Sequence, residues 1–470
     1  MLHWLRLLIR RVKISLNPAQ ILFLGYAAII FFGAFLLCMP FSLNDGIEVS
    51  FIDTLFTAIA STCVTGLSTV SMATTWSLWG KLIILILIQI GGLGFITFYT
   101  FLFVFLGKKI TLKERILIKS SLNQQSLQGM VKLVKTVIWG ALLIEGCAAV
   151  VLTIRFMFLP DVDVPTAILW GIFHSVSAFC NAGIDIIGSD SLTRFVADPV
   201  INITVMVLIF SGGIGFTVWG DFIRVLHRRK ENSSASYKYM MHLSLHTKIV
   251  LVVTFILISS GTILIFCADY SNPGTLAPLG TGEKILASFF QSITSRTTGF
   301  FTLDQQSLTY SSKLTTVILM FIGGSPGGAA GGVKTTTVGV IIVAILSVIR
   351  GNDSINIFKK RISLQILMQA LTVMMMMLIM IITATMILSV TERGTPHEFM
   401  DLLVESTSAI STSGISLGIT PYLSMAGKII LCVCMFVGRL GPITAVFALQ
   451  VRLNKNTNAV LYPEERIIVG

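Results

Sequence analysis

The strongest constraint on this chain is a short stretch of small and hydroxylated residues ending in glycine, which occurs four times. The four copies end at Gly66, Gly183, Gly299 and Gly414, so consecutive glycines are separated by 117, 116 and 115 residues. Repetition at a fixed period indicates that one structural unit has been copied along the chain. We therefore expect four similar units.

Long apolar segments flank each copy. The chain has 470 residues, of which 54% are hydrophobic and 12% are charged, and its mean hydropathy is +0.86. These values lie outside the range of ordinary soluble domains. The uncharged stretch 21–40 has about the 20 residues that a helix needs to cross a bilayer. The sequence therefore predicts an integral membrane protein, and we expect the first span to be retained because no cleavage site follows the basic N-terminus.

The four units share one order of segments: a long apolar span, an acidic outer loop, a shorter semi-polar helix, the glycine-terminated stretch and a second long span. The first spans are predicted at 21–40, 134–156, 250–268 and 365–390, the short helices at 51–60, 165–179, 283–294 and 396–410, and the second spans at 82–106, 200–225, 314–349 and 429–449. The short helices, at about 15 residues, cannot cross the membrane and are predicted to be re-entrant. The predicted fold class is an all-α membrane protein with eight transmembrane helices, in four membrane-pore-membrane repeats around a pseudo-fourfold pore.

The basic residues define the ends of the units. Lys and Arg cluster in 1–17, 107–135, 224–248, 350–361 and 451–470, and positive residues accumulate on the cytoplasmic side of a membrane. We therefore predict a cell-membrane protein with both termini in the cytoplasm. The predicted divisions are a basic N-terminus 1–17, repeats at 18–107, 131–226, 246–349 and 362–450, and a cytoplasmic tail 451–470. The topology explains the net charge of +12, so membrane lipid is the expected surrounding partner and nucleic acid is not.

Four non-helical stretches at membrane depth must be enclosed by protein or line water, because unpaired peptide groups in lipid are costly. Converging backbone carbonyls can replace the water shell of a cation, and glycine permits the required backbone angles. Each short helix would also direct its partly negative C-terminal end toward the centre. The candidate cation-binding residues are Val64, Thr65, Gly66, Asn181, Ala182, Gly183, Thr297, Thr298, Gly299, Thr412, Ser413 and Gly414.

Val64-Thr65-Gly66 resembles a shortened K⁺-channel filter, and the other three copies keep its glycine. Four such units in one chain resemble the Trk/Ktr/HKT superfamily of K⁺ transporters. The chain is most similar to the bacterial Ktr membrane, or ion-translocating, subunit, both in its eight spans and in the tail 462–470. The resemblance implies channel-like K⁺ uptake, with Na⁺ as a second candidate ion and no organic cofactor on this chain. It further implies a homodimer docked on a cytosolic nucleotide-binding ring of KtrA-like RCK subunits.

The third unit differs from the others in its second span. Residues 323–334 contain six glycines and one proline, which no continuous helix accommodates. We predict a mid-membrane loop at 323–335 facing the pathway, and the resemblance implies that it moves to open or occlude the pore. The predicted gate residues are Gly323, Gly324, Ser325, Pro326, Gly327, Gly328, Gly331, Gly332, Lys334 and Arg439. A kink for helix packing is the alternative, whereas a nucleotide phosphate loop is disfavoured because Val333 separates the glycine from the lysine.

Two arginines lie near the predicted pathway. Arg439 replaces the second glycine of a pair that the other units keep as Gly92, Gly213 and Gly324. A charge inside the membrane is a functional candidate by default, so Arg439 is expected to act as an electrostatic barrier or as a partner of the loop; a structural cation held by helix carbonyls is the alternative. Arg296 is expected to brace the glycine stretch by pairing with a carboxylate such as Glu405; contact with the ion is the alternative.

Two other functional classes were weighed. An alternating-access cation symporter would need paired, inverted half-helices, whereas the four units here share one orientation. A membrane-embedded enzyme would need a repeated constellation of His, Asp or Cys at membrane depth, and the sequence offers none. We therefore expect a transport protein and not an enzyme.

Overall fold

The computed structural model describes residues 18–94, 97–98, 130–188, 190–231, 243–352, 354–442 and 444–445. Three kinds of helix recur in each unit, in the predicted order. The first helices are Pro18–Leu37, Met130–Met157, Leu245–Asp269 and Leu364–Thr391; the short helices are Phe51–Thr62, Val164–Phe179, Thr281–Thr294 and Phe399–Ser411; the second helices are Leu78–Leu93, Pro199–Gly213, Tyr310–Phe321 and Met425–Leu440. Further helices are Met72–Thr75, Phe216–Glu231 and Thr335–Ile349, with 3₁₀ turns at Pro40–Ser42, Thr193–Phe195 and Thr420–Tyr422.

The first helices are the long membrane-crossing elements. Within the described part of the chain, all four are long and apolar enough to cross a bilayer, and between 28% and 33% of each apolar window is buried inside the protein. Most of their surface is therefore free to face lipid, which is as apolar as the side chains that meet it. The protein is a multi-pass membrane protein, and its eight predicted spans remain a prediction.

The short helices form the centre of the core. Their C-terminal halves are almost wholly buried, and Phe56, Phe173, Phe179 and Phe290 on them are among the largest fully buried side chains. Burying a phenylalanine stabilises a fold by about 1.5–3 kcal/mol. The packing therefore fixes the ends of the short helices, from which the four glycine stretches begin.

The second helices all begin with the same device. The side chains of Ser77, Asp198, Thr309 and Ser424 each accept a hydrogen bond from the backbone N–H three residues later. Such a cap satisfies a donor that the helix leaves free, and it contributes about 1 kcal/mol. This repeated cap is a further sign of fourfold duplication that the sequence analysis missed.

The second helices are not continuous over the predicted spans. In unit 2 the predicted span 200–225 is wrong as a continuous helix, because Pro199–Gly213 and Phe216–Val225 meet at an angle of 92°. In units 1 and 4 the helices end inside the predicted spans, at Leu93 and Leu440. The physical reason is a glycine with positive φ at each break, namely Gly94, Gly215 and Gly441; this left-handed conformation ends a helix and is cheap for glycine.

In unit 3 the interruption is longer. The helix ends at Phe321 and resumes at Thr335, so the glycine-rich residues lie between two helical segments.

The all-α prediction is wrong in one detail. Strands β1, Asn356–Ile357, and β2, Lys360–Arg361, form an antiparallel hairpin. Its two turn residues, Phe358 and Lys359, both have positive φ, which is typical of the type I′ turn that matches strand twist. The hairpin lies in a loop, where helix patterning in the sequence carries no signal. The predicted segments 1–17 and 451–470, with most of the basic loop 107–135, lie outside the described residues.

Candidate functional site

The four glycine stretches lie side by side in a closed ring. A Cβ built on any of the four glycines would come within 3.0 Å of a backbone carbonyl oxygen of the next unit. The glycines and their neighbouring oxygens are Gly66 with Ala182, Gly183 with Thr298, Gly299 with Ser413, and Gly414 with Thr65. The contacts run from unit 1 to 2, 2 to 3, 3 to 4 and back to 1. We call this arrangement the glycine ring.

Each stretch of the glycine ring has the same backbone pattern. All four glycines have positive φ, and so does the residue two places earlier: Val64, Asn181, Thr297 and Thr412. Left-handed backbone is strained for these side chains, and such strain persists only where the surroundings enforce it. The first and third residues of each stretch are therefore left-handed, and they rotate the two peptide planes that join them to the middle residue. The repeated geometry therefore favours a common direction for the carbonyls of the four stretches.

The middle residue of each stretch is tied back to its own short helix. The N–H groups of Thr65, Ala182 and Ser413 donate to carbonyls five residues earlier at 2.8 Å, and Thr298 donates to Thr294 at 3.0 Å. These bonds use helix-end carbonyls that would otherwise lack a partner. They also fix the depth of each stretch relative to its short helix.

The first glycine of each repeated pair, with Gly438 in the corresponding place in unit 4, packs close to the glycine stretches. A Cβ on Gly91, Gly212 or Gly438 would collide with a carbonyl oxygen at the end of the short helix of the same unit. In unit 3 the corresponding Gly323 instead packs against Gly331 of the glycine-rich segment. The glycines of units 1, 2 and 4 thus allow the second helix to pack closely against the short helix. In unit 3 the glycine-rich segment takes the place of the short-helix end in this contact.

The interrupted segment 323–335, which we call the loop, contacts the glycine ring. The backbone N–H of Gly331 donates to the Thr297 hydroxyl at 3.1 Å. The N–H groups of Ser325 and Ala329 donate to the carbonyls of Gly213 and Gly212 at 3.0 and 3.1 Å. The loop therefore contacts both the ring and the helix break of unit 2.

The helix break in unit 2, between Gly213 and Phe216, contacts the loop, which the sequence analysis did not predict. The N–H of Phe216 donates to the Gly327 carbonyl at 2.9 Å, and a Cβ on Gly215 would lie 2.6 Å from the carbonyl oxygen of Pro326. The Gly-Gly-x-Gly pattern at 212–215 was the available signal, since its last glycine marks where the helix stops.

Arg439 joins the loop to unit 1. Its guanidinium donates through Nη1 to the Ala329 carbonyl and through Nη2 to the carbonyls of Gly91 and Gly92. Hydrogen bonds to charged donors are the stronger ones, at about 1.5–3 kcal/mol. The side chain thus holds the loop against the second helix of unit 1.

Lys334 stabilises the loop from within. Its Nζ donates to the Ala330 carbonyl at 2.7 Å and to the Gly331 carbonyl at 3.4 Å. A second internal contact joins the hydroxyls of Ser325 and Thr335 at 3.1 Å. The loop therefore has a defined conformation in this state.

The expected pairing of Arg296 with Glu405 is wrong. Arg296 Nη2 donates to the Gly323 carbonyl at 3.0 Å, whereas the Glu405 carboxylate accepts from the hydroxyls of Thr420 and Ser416. Both side chains are buried, and each forms hydrogen bonds with a different partner. Arg296 connects the ring to the start of the loop.

The sequence of this chain is similar to those of known cation transport proteins. The family model for TrkH, cation transport protein, matches residues 29–459. The chain is 38% identical to Ktr system potassium uptake protein B of Bacillus subtilis over 97% of this chain and 98% of that one, and 35% identical to potassium/sodium uptake protein NtpJ of Enterococcus hirae over 98% and 99%.

Among solved structures, the potassium transporter TrkH from Vibrio parahaemolyticus matches with a TM-score of 0.67 at 16% identity, covering 91% of this chain and 84% of that one. This match supports the fold alone, since the identity is low. The family match over nearly the whole chain confirms the resemblance, and the expectation of a transport protein rather than an enzyme. The chain belongs to the TrkH family of cation transport proteins.

Proposed function

We propose that this chain is the ion-translocating subunit of a K⁺ uptake system and that K⁺ passes through the glycine ring. The observation that supports the proposal most strongly is the closed ring itself, in which each glycine meets a carbonyl oxygen of the next unit. Oxygens around a narrow axis replace the water shell of a cation. The relatives whose names include potassium uptake agree with this ion.

The short helices add a favourable potential. Each ends just before its glycine stretch, so four C-terminal ends, each with roughly half a negative charge, surround the ring. A cation gains from all four without a fixed anion that would hold it too tightly. Selectivity then depends on the spacing of the carbonyls, which the backbone contacts set.

We assign the loop 323–335 as the gate. Hydrogen bonds join it to the ring at Thr297 and, through Arg439, to unit 1. In this position it lies on the cytoplasmic side of the ring if both termini are cytoplasmic. Breaking the Arg439 bonds would free one side of the loop, so Arg439 acts as the loop's partner rather than as a remote electrostatic barrier.

Channel-like movement requires no coupled ion. A membrane potential supplies about 2.3 kcal/mol per charge per 100 mV, which is enough to draw K⁺ inward. A symporter would instead transport K⁺ at a fixed ratio to a second ion. Currents or fluxes in proteoliposomes separate the two, because a channel-like protein gives a reversal potential set by the K⁺ gradient alone, whereas a Na⁺ symporter shifts it with the Na⁺ gradient.

A regulatory partner belongs to the same proposal. The Bacillus relative is named as part of a Ktr system, and we propose that a homodimer of this chain docks on a cytosolic nucleotide-binding ring. The nucleotide would then act on the loop from the cytoplasmic side. Co-purification of the two subunits and a flux that depends on added adenine nucleotide test this arrangement.

The direct test of the filter assignment is Gly66→Ser in a bacterium deficient in K⁺ uptake. A Cβ there meets the Ala182 carbonyl, and φ is +90°, so we expect the carbonyls to shift and discrimination between K⁺ and Na⁺ to weaken by about tenfold, or 1.4 kcal/mol. Gly188→Ala is the matched control, since a Cβ there has no atom within 4 Å. Unchanged selectivity in Gly66→Ser would contradict the assignment.

A further inference from the structure

A small cavity lies behind the glycine ring, between units 2 and 3. Its lining includes Asn181 from the ring, Arg296 beside the ring, Thr254 from the first helix of unit 3, and the paired glycines Gly213 and Gly324. The cavity offers about 20 Å³ to a water molecule. A single water needs at least about 10–15 Å³ on this measure, so one water fits.

Three residues of this lining each carry a polar atom that has no partner among the residues that the structure describes: Arg296 Nε, Asn181 Oδ1 and the Thr254 hydroxyl. All three side chains are buried, with exposed fractions of 8%, 1% and 4%. An unsatisfied buried polar group is costly, and native proteins rarely leave three together. The presence of all three residues on one cavity lining therefore points to a ligand that bonds to all of them.

The chemistry of the three atoms selects the ligand. Arg296 Nε can only donate, Asn181 Oδ1 can only accept, and the Thr254 hydroxyl can do either. A cation would be repelled by the guanidinium, and an anion would be repelled by the amide oxygen. Water both donates and accepts, and buried waters typically make about three hydrogen bonds.

We propose that one ordered water occupies this cavity, accepting from Arg296 Nε, donating to Asn181 Oδ1 and bonding to the Thr254 hydroxyl. The other ends of the same side chains are already engaged. Arg296 Nη2 donates to the Gly323 carbonyl at 3.0 Å, and Asn181 Nδ2 donates to the Thr298 hydroxyl at 3.3 Å.

The water therefore completes a polar connection from the glycine ring of units 2 and 3 to the first residue of the loop. Positioning residues of this kind act through their neighbours, and partly satisfied polar networks lose their rigidity. This consequence rests on the proposed function, whereas the water site itself does not.

The first test is a structure of the full chain at a resolution that shows ordered water. We expect density within about 3.2 Å of all three atoms, absent in Thr254→Val and retained in Thr254→Ser. Valine keeps the shape of threonine without its hydroxyl, and serine keeps the hydroxyl without the methyl. Absence of this density in the unmodified protein, or closure of the cavity by a side chain, would overturn the site.

The second test compares K⁺ and Na⁺ fluxes of the same two variants in proteoliposomes. We expect a several-fold loss of K⁺ discrimination in Thr254→Val and normal behaviour in Thr254→Ser. Equal impairment of both variants would mean that the threonine acts by packing and would overturn the positioning role. If the density behaves as expected while Gly66→Ser leaves selectivity unchanged, the filter assignment fails and the water site stands.

Discussion

The glycine ring and the loop are built from similar residues but differ in the contacts that hold them. In the ring, backbone meets backbone, and a Cβ on any of the four glycines would collide with a neighbouring carbonyl. In the loop, backbone hydrogen bonds to Gly212 and Gly213 are supplemented by side-chain donors, namely Arg439 from another unit and Lys334 from within. Both regions are closely packed, but the loop depends in addition on hydrogen bonds from Arg439 and Lys334, which can be exchanged for other partners.

This difference matches the two tasks that we propose. A selectivity filter needs constant spacing, which close backbone contact provides. A gate needs two arrangements separated by a few kcal/mol, which a small number of replaceable hydrogen bonds provides. The contrast predicts that substitutions in the ring remove transport or selectivity, and that substitutions at the loop contacts change how often the pathway is open.

The largest effect is expected for Gly183→Ala in the ring. A Cβ at this position would collide with the Thr298 carbonyl, and φ is +63°, so overpacking and backbone strain add to several kcal/mol. We expect K⁺ uptake by the transport-deficient strain to fall by at least about a hundredfold, or 2.7 kcal/mol. Protein quantified in the membrane fraction, with Gly188→Ala as control, separates lost transport from lost expression. Normal K⁺ uptake by this variant would contradict the proposed difference between the ring and the loop.

Deletion of Gly327 to Gly332 is expected to have the next largest effect, of opposite sign. The deletion removes the Phe216 and Arg439 contacts of the loop while leaving the ring residues in place. We expect K⁺ flux without regulatory partner or nucleotide to rise about tenfold, a population shift of about 1.4 kcal/mol. Proteoliposome flux measures it. A deleted chain that no longer inserts into the membrane would show that the segment is a packing element.

Arg439→Gln tests a single loop contact. Glutamine retains one amide donor but loses the charge and the second bond. The stabilisation of the loop therefore falls by about 1.5–3 kcal/mol. We expect a several-fold rise in flux without activation, with Arg439→Lys intermediate because lysine keeps the charge without the paired donors. Reduced flux in Arg439→Gln would instead indicate that the charge supports ion passage.

The smallest effect is expected where units 1 and 4 meet. Lys428 Nζ pairs with the Asp53 carboxylate at 2.8 Å, and the two side chains are 14% and 16% exposed. The pair joins the first unit to the last, which the chain connects only through the other two. We expect Lys428→Gln and Asp53→Asn each to lower thermal stability by a few degrees, and a double-mutant cycle to give about 1 kcal/mol of coupling. If the effects of the two substitutions on stability are strictly additive, the Lys428–Asp53 pair contributes nothing to ring closure.

The sequence predicted the parts of this molecule that repeat. The glycine spacing identified four units and the four residues that meet in the ring, because a fourfold pattern constrains every copy at once. The glycine and proline content of 323–334 likewise located the interruption in the second helix of unit 3.

The parts that depend on local conformation were missed. Gly94, Gly215 and Gly441 break the other second helices through positive φ, and a single glycine in an apolar run does not show which backbone angles it adopts. The predicted partner of Arg296 was also wrong, because Arg296 donates to the backbone carbonyl of Gly323. Charge complementarity in a sequence does not identify a backbone carbonyl as the acceptor.

The most direct test of the central claim is a diffraction experiment on the protein with Rb⁺ or Tl⁺ in place of K⁺. Both ions give anomalous signals and substitute for K⁺ among oxygen ligands. The account predicts a peak on the axis between Gly66, Gly183, Gly299 and Gly414, surrounded by the carbonyls of the glycine stretches. Peaks confined to other sites, with none inside the glycine ring, would contradict it.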